Sequence, residues 1–416
     1  MNRALLSRTL FRWALAAACT LGMAQAQAFS VLHNFGGRGD GSYPYDGLTM
    51  DRAGNFYGTT YEGGSNGQGT VFKLSKHNGV WIFSSIYSFR GGNDGAFPYS
   101  GVTVGPDGAL YGTTSSGGHG APHCAGGCGT VYRLTPPANV CQRTSCPWSE
   151  TVLYNFYDAG LQLGDPWAGV IFDAAGNMFG TTTQGGTVQC PNSALGCGTV
   201  YELVRNGASW SIVVLYSFTG GSDGSVPYAG LVMDAAGNLY GASFYSEAYE
   251  GYGAIIELVK NGGSWTERTL YNFQGGSDGG NPESSLILDS AGNLYGGTSS
   301  ANGGMLRGVA FELSPSGNYS ILASYEGSIV QNLTLDAAGN LYGTTLFGGA
   351  HEDGEVFKLS NSGGVWTSTD LYDFDYHNGG ANSPWSWVSI DASGNLFGTT
   401  NGGGSNLGGV VWEIAP

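Results

Sequence analysis

One short phrase returns seven times along this chain, and that repetition limits the possible folds more than any other feature. It reads Asn55-Phe56-Tyr57-Gly58-Thr59-Thr60 at its first occurrence and Asn395-Leu396-Phe397-Gly398-Thr399-Thr400 at its last. Its aromatic falls at residues 57, 111, 179, 240, 295, 342 and 397. A period of about 50 residues is the signature of a repeat architecture, in which one supersecondary unit buries its faces against copies of itself. Within the first unit four strand-like pieces follow one another: Gly47 to Asp51, Phe56 to Thr60, Thr70 to Leu74 and Trp81 to Phe89. The turn Asp51-Arg52-Ala53-Gly54-Asn55 separates the first two, and its glycine supplies the positive φ a short hairpin loop needs. Asn78-Gly79 marks a second hairpin. In the last piece Trp81, Phe83, Tyr87 and Phe89 alternate onto one face, with one slip between Phe83 and Tyr87.

Composition agrees. The chain has 74 glycines and 13% aromatic residues but only 11% charged ones, the reverse of a disordered chain and the mark of many short strands joined by tight turns. Four antiparallel strands per unit, seven units and no helical periodicity predict an all-β, seven-bladed β-propeller. The two ends add a topological expectation. The last unit stops after its third strand, Gly409 to Ile414, and the segment Phe29 to Phe35 resembles fourth strands such as Leu215-Tyr216-Ser217-Phe218. The N-terminal strand should therefore complete the last blade, because the third strand would otherwise present an open edge.

The repeat also resembles a known family. The Leu-Tyr-Gly-Thr-Thr core, the Gly-Gly that follows it and the Gly-Gly-x-Asp-Gly-x-x-Pro spacer are similar to the GloVer tandem repeat of Gloeobacter and Verrucomicrobia-type bacteria, over essentially residues 29 to 416. The resemblance implies an exported protein, often with a C-terminal surface anchor. The sequence departs from that pattern, since it ends at Pro416 without an apolar tail. It implies no established activity and transfers no catalytic residue.

Residues 1–28 read as a signal peptide: Arg3, Arg8 and Arg12 precede or flank an apolar run from Trp13 to Met23, and small residues follow at Ala24 and Ala26. Cleavage is expected after Ala26 or Ala28, with a lipidated Cys19 as the minor alternative, leaving residues 29–416 as a single domain. The run is too short for an ordinary membrane span. Removing residues 1–26 takes away three arginines and no acid, which moves the formal charge from −16 to −19. Such a surface disfavours nucleic acid, whose phosphates require Lys and Arg, and favours solubility. A secreted, periplasmic or cell-surface monomer is the expectation.

Six cysteines remain after cleavage, in close pairs: Cys124 with Cys128, Cys141 with Cys146, and Cys190 with Cys197. They suggest three local disulfides in an oxidising compartment. Zinc held by Cys124, Cys128, His119 and His123 is the competing reading.

Five blades place an aromatic directly after the spacer proline, at Tyr45, Tyr99, Trp167, Tyr228 and Trp385, whereas Glu283 and Val330 stand there in blades five and six. A ring of aromatics at a channel mouth suits stacking on sugar rings, and blade-to-blade packing is the alternative. The spacer acids Asp40, Asp94, Asp223 and Asp278 each offer one carboxylate, which is sparse for calcium and ordinary for a turn. Asp51, Asp173, Asp234, Asp289, Asp336 and Asp391 repeat before the hairpin and are expected to cap it. Residues that break the repeat are the places to look for catalysis. They are His351, Glu352, Asp353 and Glu355, Glu247 and Glu250 among Tyr245, Tyr249 and Tyr252, and Glu283. No metal or cofactor is assigned. The leading reading is an exterior binding module, with extracellular glycan or protein as partner. A propeller-type hydrolase or lyase acting on lactones or polysaccharide is the alternative, so the question of enzyme activity stays open.

Overall fold

In a computed structural model of the chain, the structure describes residues 28–120, 124, 126–137, 148–156, 163–187, 190, 195–246, 251–301, 305–377 and 380–416. Seven small antiparallel sheets form the blades of a β-propeller. Blade one is Thr49–Met50, Phe56–Thr60, Thr70–His77 and Val80–Ser88, running from the axis outward. The innermost strand is shorter than its sequence suggests, pairing only at Thr49↔Tyr57 and Met50↔Phe56. The preceding segment leaves the sheet because each spacer proline follows a residue in the left-handed region, at Tyr43, Phe97, Asp165, Val226, Asn281 and Ser383, with φ between 52° and 58°. That kink is held at both ends. Tyr43 N–H donates to Gly408 O of blade seven, and Tyr61 N–H donates back to Tyr43 O.

The glycine of the repeated phrase has a packing cause. A Cβ on Gly58 would lie 2.5 Å from Phe72 Cζ on the third strand, and one on Gly398 would lie 2.3 Å from Trp412 Cζ2. The third-strand aromatic lies flat across the second strand, and only glycine leaves room for it. The spacer proline does the same between blades: a Cβ on Gly69 would meet Pro98 Cδ at 2.6 Å and one on Gly354 would meet Pro384 Cδ at 2.6 Å. The core is thus a series of interfaces between neighbouring blades rather than one central mass.

The chain ends meet as expected. Ala28–Asn34 is the outer strand of blade seven, with Ala28 opposite Ala415 and Asn34 opposite Val410. Its register slips between Val31 and His33, and every other outer strand slips at the corresponding place. In blade one the slip lies in the stretch between Phe83 and Tyr87, where the side-chain alternation breaks. Phe29 stacks on Tyr372 of blade six at 3.9 Å and His33 stacks on Phe83 of blade one at 3.6 Å. Phe35 is fully buried between blades seven and one. No helix among the described residues is long and apolar enough to cross a membrane.

Candidate functional site

The hairpin end of the blades is built by one recurring device. Asp289 Oδ1 accepts from the backbone N–H of Ala291 and Asn293 (both 2.8 Å), while Oδ2 accepts from Asn293 Nδ2 (2.9 Å) and Tyr295 OH (3.2 Å). Asp51, Asp234 and Asp336 repeat the full pattern. Asp173 and Asp391 lack only the hydroxyl, because Phe179 and Phe397 replace the tyrosine. In blade two Gly105 takes the aspartate's place, and Asp107 instead holds Tyr111 OH (2.9 Å) and Arg133 (2.6 Å). The hydrogen bonds hold Asp51, Asp107, Asp234, Asp289 and Asp336 below the usual carboxylate range, against the opposing effect of burial.

The spacer acids are also consumed internally. Asp278 accepts from Gln274 N–H, Gly276 N–H and Tyr271 OH. Asp223 accepts from Thr219 and Gly221 N–H groups and Tyr216 OH. Asp40 accepts from Gly36 N–H, and Asp94 from Arg90 N–H. Each ties its own loop. No metal-holding cluster occurs among the described residues. Cys124–Cys128 and Cys190–Cys197 are disulfides, which removes the thiolates the zinc alternative needed. Cys141 and Cys146, like His123, lie outside the described residues.

The axis is different. A cavity of about 680 Å³ opens there, lined by all five sequence-predicted aromatics. They form one continuous arc. Tyr45 and Tyr99 stack at 4.7 Å, Tyr99 and Trp167 lie 4.3 Å apart, Trp167 and Tyr228 4.5 Å, and Trp385 meets Tyr45 edge-on at 5.9 Å. These rings pack blade against blade, and each stays half-buried and lines the cavity. Trp167 Nε1 donates to Asp165 Oδ1 at 2.8 Å, which fixes its indole.

Blades five and six interrupt the arc. Glu283 stands in the aromatic position of blade five and lines the cavity. Burial pushes its carboxyl up to about 7. Val330 of blade six is buried against Gly297 and Gly308, and it is the next residue, Gln331, that lines the cavity. Asp46 lies deeper. Its carboxylate accepts from Gly47 N–H (2.8 Å) and Gly101 N–H (2.6 Å), bridging blades one and two, and burial raises it to about 6.

Sequence reasoning missed Asp46, Trp387, Gln331 and Asn332. For Asn332 and Trp387 the signal was present two residues after the aromatic position, where Gly47, Gly101, Gly169 and Gly230 in blades one to four give way to Ser285, Asn332 and Trp387; Asp46 and Gln331 stand one residue after it, among small residues in the other blades. Trp387 uses the space the glycines leave, since a Cβ on Gly47 would lie 2.5 Å from its ring, and its Nε1 donates to Leu48 O at 3.2 Å. The other repeat-breaking acids do not converge here. His351, Glu352, Asp353 and Glu355 are absent from the cavity wall; His351 faces Asp375 at 3.9 Å and Asp353 accepts from Tyr376 N–H. Tyr245 does line the cavity, whereas Tyr252 packs on Gly275. Glu247, Tyr249 and Glu250 lie outside the described residues.

Fold and site define a closed seven-bladed propeller with an aromatic-walled axial cavity. The chain belongs to the Gloeobacter/Verrucomicrobia repeat family, whose model matches residues 9–144 and 121–334. A comparison with curated proteins finds no match. Several solved structures are similar. The extracellular domain of a protein assigned as a one-component system from B. thetaiotaomicron is 11% identical with a TM-score of 0.54 over 93% of this chain and 40% of that one. An ulvan lyase, a polysaccharide lyase bound to -[GlcA(1-4)Rha3S]-, is 10% identical with a TM-score of 0.51, covering 89% and 94%. PorZ, a surface component of the type-IX secretion system of Porphyromonas gingivalis, is 13% identical with a TM-score of 0.52, covering 92% and 47%. The chain thus spans less than half of the first and the last. At these identities the likeness is one of fold.

Proposed function

We propose that this is an exported monomeric binding module, residues 1–28 serving as the export signal and 29–416 as one domain, and that its axial cavity holds carbohydrate rings. The arc of five half-buried aromatics around one cavity carries the reading. Ring edges and faces of this kind match the C–H faces of sugars and exclude water around them. Two disulfides agree with an oxidising compartment. Cleavage after Ala26 would leave the strand Ala28–Asn34 whole.

The test is a glycan array probed with the secreted protein, followed by titration of the best ligand. Trp167→Ala and Trp385→Ala should each weaken binding about 10-fold or more, with little change in fold. An array without any ligand, or two variants that bind like the parent, would reject the reading. Two carboxyls in one cavity, Asp46 and Glu283, favour a second reading, acid–base cleavage of a polysaccharide. It requires new reducing or unsaturated ends on incubation with the bound glycan, lost in Glu283→Gln.

A further inference from the structure

The interruption of the aromatic arc has its own chemistry. Glu283 takes part in no hydrogen bond or ion pair described for the cavity, although it lines the wall and is largely withdrawn from water. Gln331 is 3% exposed, and its Nε2 finds no hydrogen-bond partner. Buried polar groups are normally satisfied, so the unmet Gln331 amide, one blade from a cavity-lining Glu283 carboxyl that no protein donor engages, marks a place completed by something else. Their neighbour Asn332 is by contrast engaged, its Oδ1 accepting from Ser285 N–H at 2.5 Å.

Charge narrows what that something is. The described cavity wall contains Asp46 and Glu283 and neither lysine nor arginine. The phenols of Tyr45, Tyr99, Tyr228 and Tyr245 complete its titratable groups, and Tyr99 is close enough to Glu283 to feel its charge. An anionic group entering this space would lose hydration without meeting a counter-charge. An uncharged hydroxyl can donate to a carboxylate or accept from a carboxylic acid, and it can accept from the Gln331 amide.

We propose that the blade-five and blade-six wall is the polar pole of the carbohydrate cavity, where Glu283 and Gln331 hydrogen-bond the hydroxyls of an uncharged sugar ring, and that the cavity selects such rings against uronate- and sulfate-bearing ones. The inference rests on the carbohydrate reading above. It separates this chain from the ulvan lyase of similar fold, whose bound saccharide carries glucuronate and a sulfated rhamnose.

The array contains neutral oligosaccharides alongside uronate- and sulfate-bearing ones, at pH 7.5. Neutral ligands should bind, and their acidic counterparts should bind at least about 10-fold more weakly. Calorimetry on the best neutral ligand should show Glu283→Ala and Gln331→Ala each about 5- to 10-fold weaker, with Glu283→Gln near the parent. Glu283→Lys should shift preference toward the uronate-bearing set. Melting curves identify any variant that fails to fold, and Glu283→Gln and Glu283→Lys keep the question answerable in that case. Acidic glycans bound as tightly as neutral ones would overturn this inference while leaving the carbohydrate reading in place. So would unchanged affinity in Glu283→Ala and Gln331→Ala when Trp167→Ala has lost binding. If no glycan binds, the carbohydrate reading falls and this inference falls with it.

Discussion

The hairpin end and the axis of the propeller are built from the same seven repeats, yet they obey the repeat to different degrees. At the hairpin end an aspartate caps the turn in six blades, through nearly the same hydrogen bonds each time. At the axis the corresponding column runs through tyrosine, tryptophan, glutamate and valine. Uniformity is what stability asks of a ring, since each blade must present the same faces to its neighbours. A ligand has no seven-fold symmetry, so a binding wall must break the pattern. The acids make the contrast concrete: hydrogen bonds hold Asp289 of a hairpin low against the opposing effect of burial, whereas burial pushes Glu283 at the axis up.

The largest effect should come from removing one complete set of repeat interactions. Deleting residues 28–35 strips the outer strand from blade seven, the Phe29–Tyr372 and His33–Phe83 stacks, and fully buried Phe35. Loss of a buried phenylalanine alone costs about 3–5 kcal/mol, and the bared edge of Val410–Ala415 invites association. The deleted protein should melt far lower or aggregate in size-exclusion chromatography. An unchanged melting temperature would show that the ring is closed by other means.

A smaller effect tests the hairpin end. Asp289→Ala removes the acceptor of four hydrogen bonds in one turn, and should lower stability by about 1–3 kcal/mol. Affinity for a cavity ligand should not move, because Asp289 is not part of the wall of the aromatic cavity. Denaturant unfolding and a titration on the same sample measure both. A loss of binding at full stability would erase the distinction between the two ends.

The fold was legible for the same reason the hairpins are uniform. A turn of Asp-x-x-Gly-Asn, a glycine under an aromatic and a proline after the spacer are local necessities, so they recur as a readable pattern. The missing fourth strand could be read at Phe29 to Phe35 because it had to match the other six. The five cavity aromatics were also legible, since they form a column of their own. Asp46, Gln331, Asn332 and Trp387 were not, because what matters about them is departure from a column, and a departure looks like noise until the axis brings it together. The short inner strand was missed for another reason. The left-handed residue before each proline is set by hydrogen bonds from the preceding blade, such as Phe97 N–H to Gln68 O, and no local sequence rule announces it.

The smallest effect concerns the sign of pH dependence at the two ends. The Glu283 carboxyl titrates near 7 in the folded protein and near 4.3 in an unfolded chain. Between those values the native state holds a proton that the unfolded state releases, so this residue makes stability fall as pH rises through that window, and the loss is complete above 7. Asp289, held low, contributes the opposite: its stabilisation is present above the unfolded aspartate value of about 3.9 and is lost as pH falls through its folded pKa. Glu283→Gln removes the ionisation without removing the volume. Relative to the parent it should therefore gain about 1–2 kcal/mol on going from pH 4.5 to pH 8, read as a melting-temperature difference that widens with pH. Asp289→Asn should instead show its largest deficit at neutral pH and converge on the parent as the pH falls below the unfolded aspartate value. Parallel pH profiles for the two variants would mean that axis and hairpin carboxyls share one environment, and the division between a repeating scaffold and a repeat-breaking site would lose its electrostatic support.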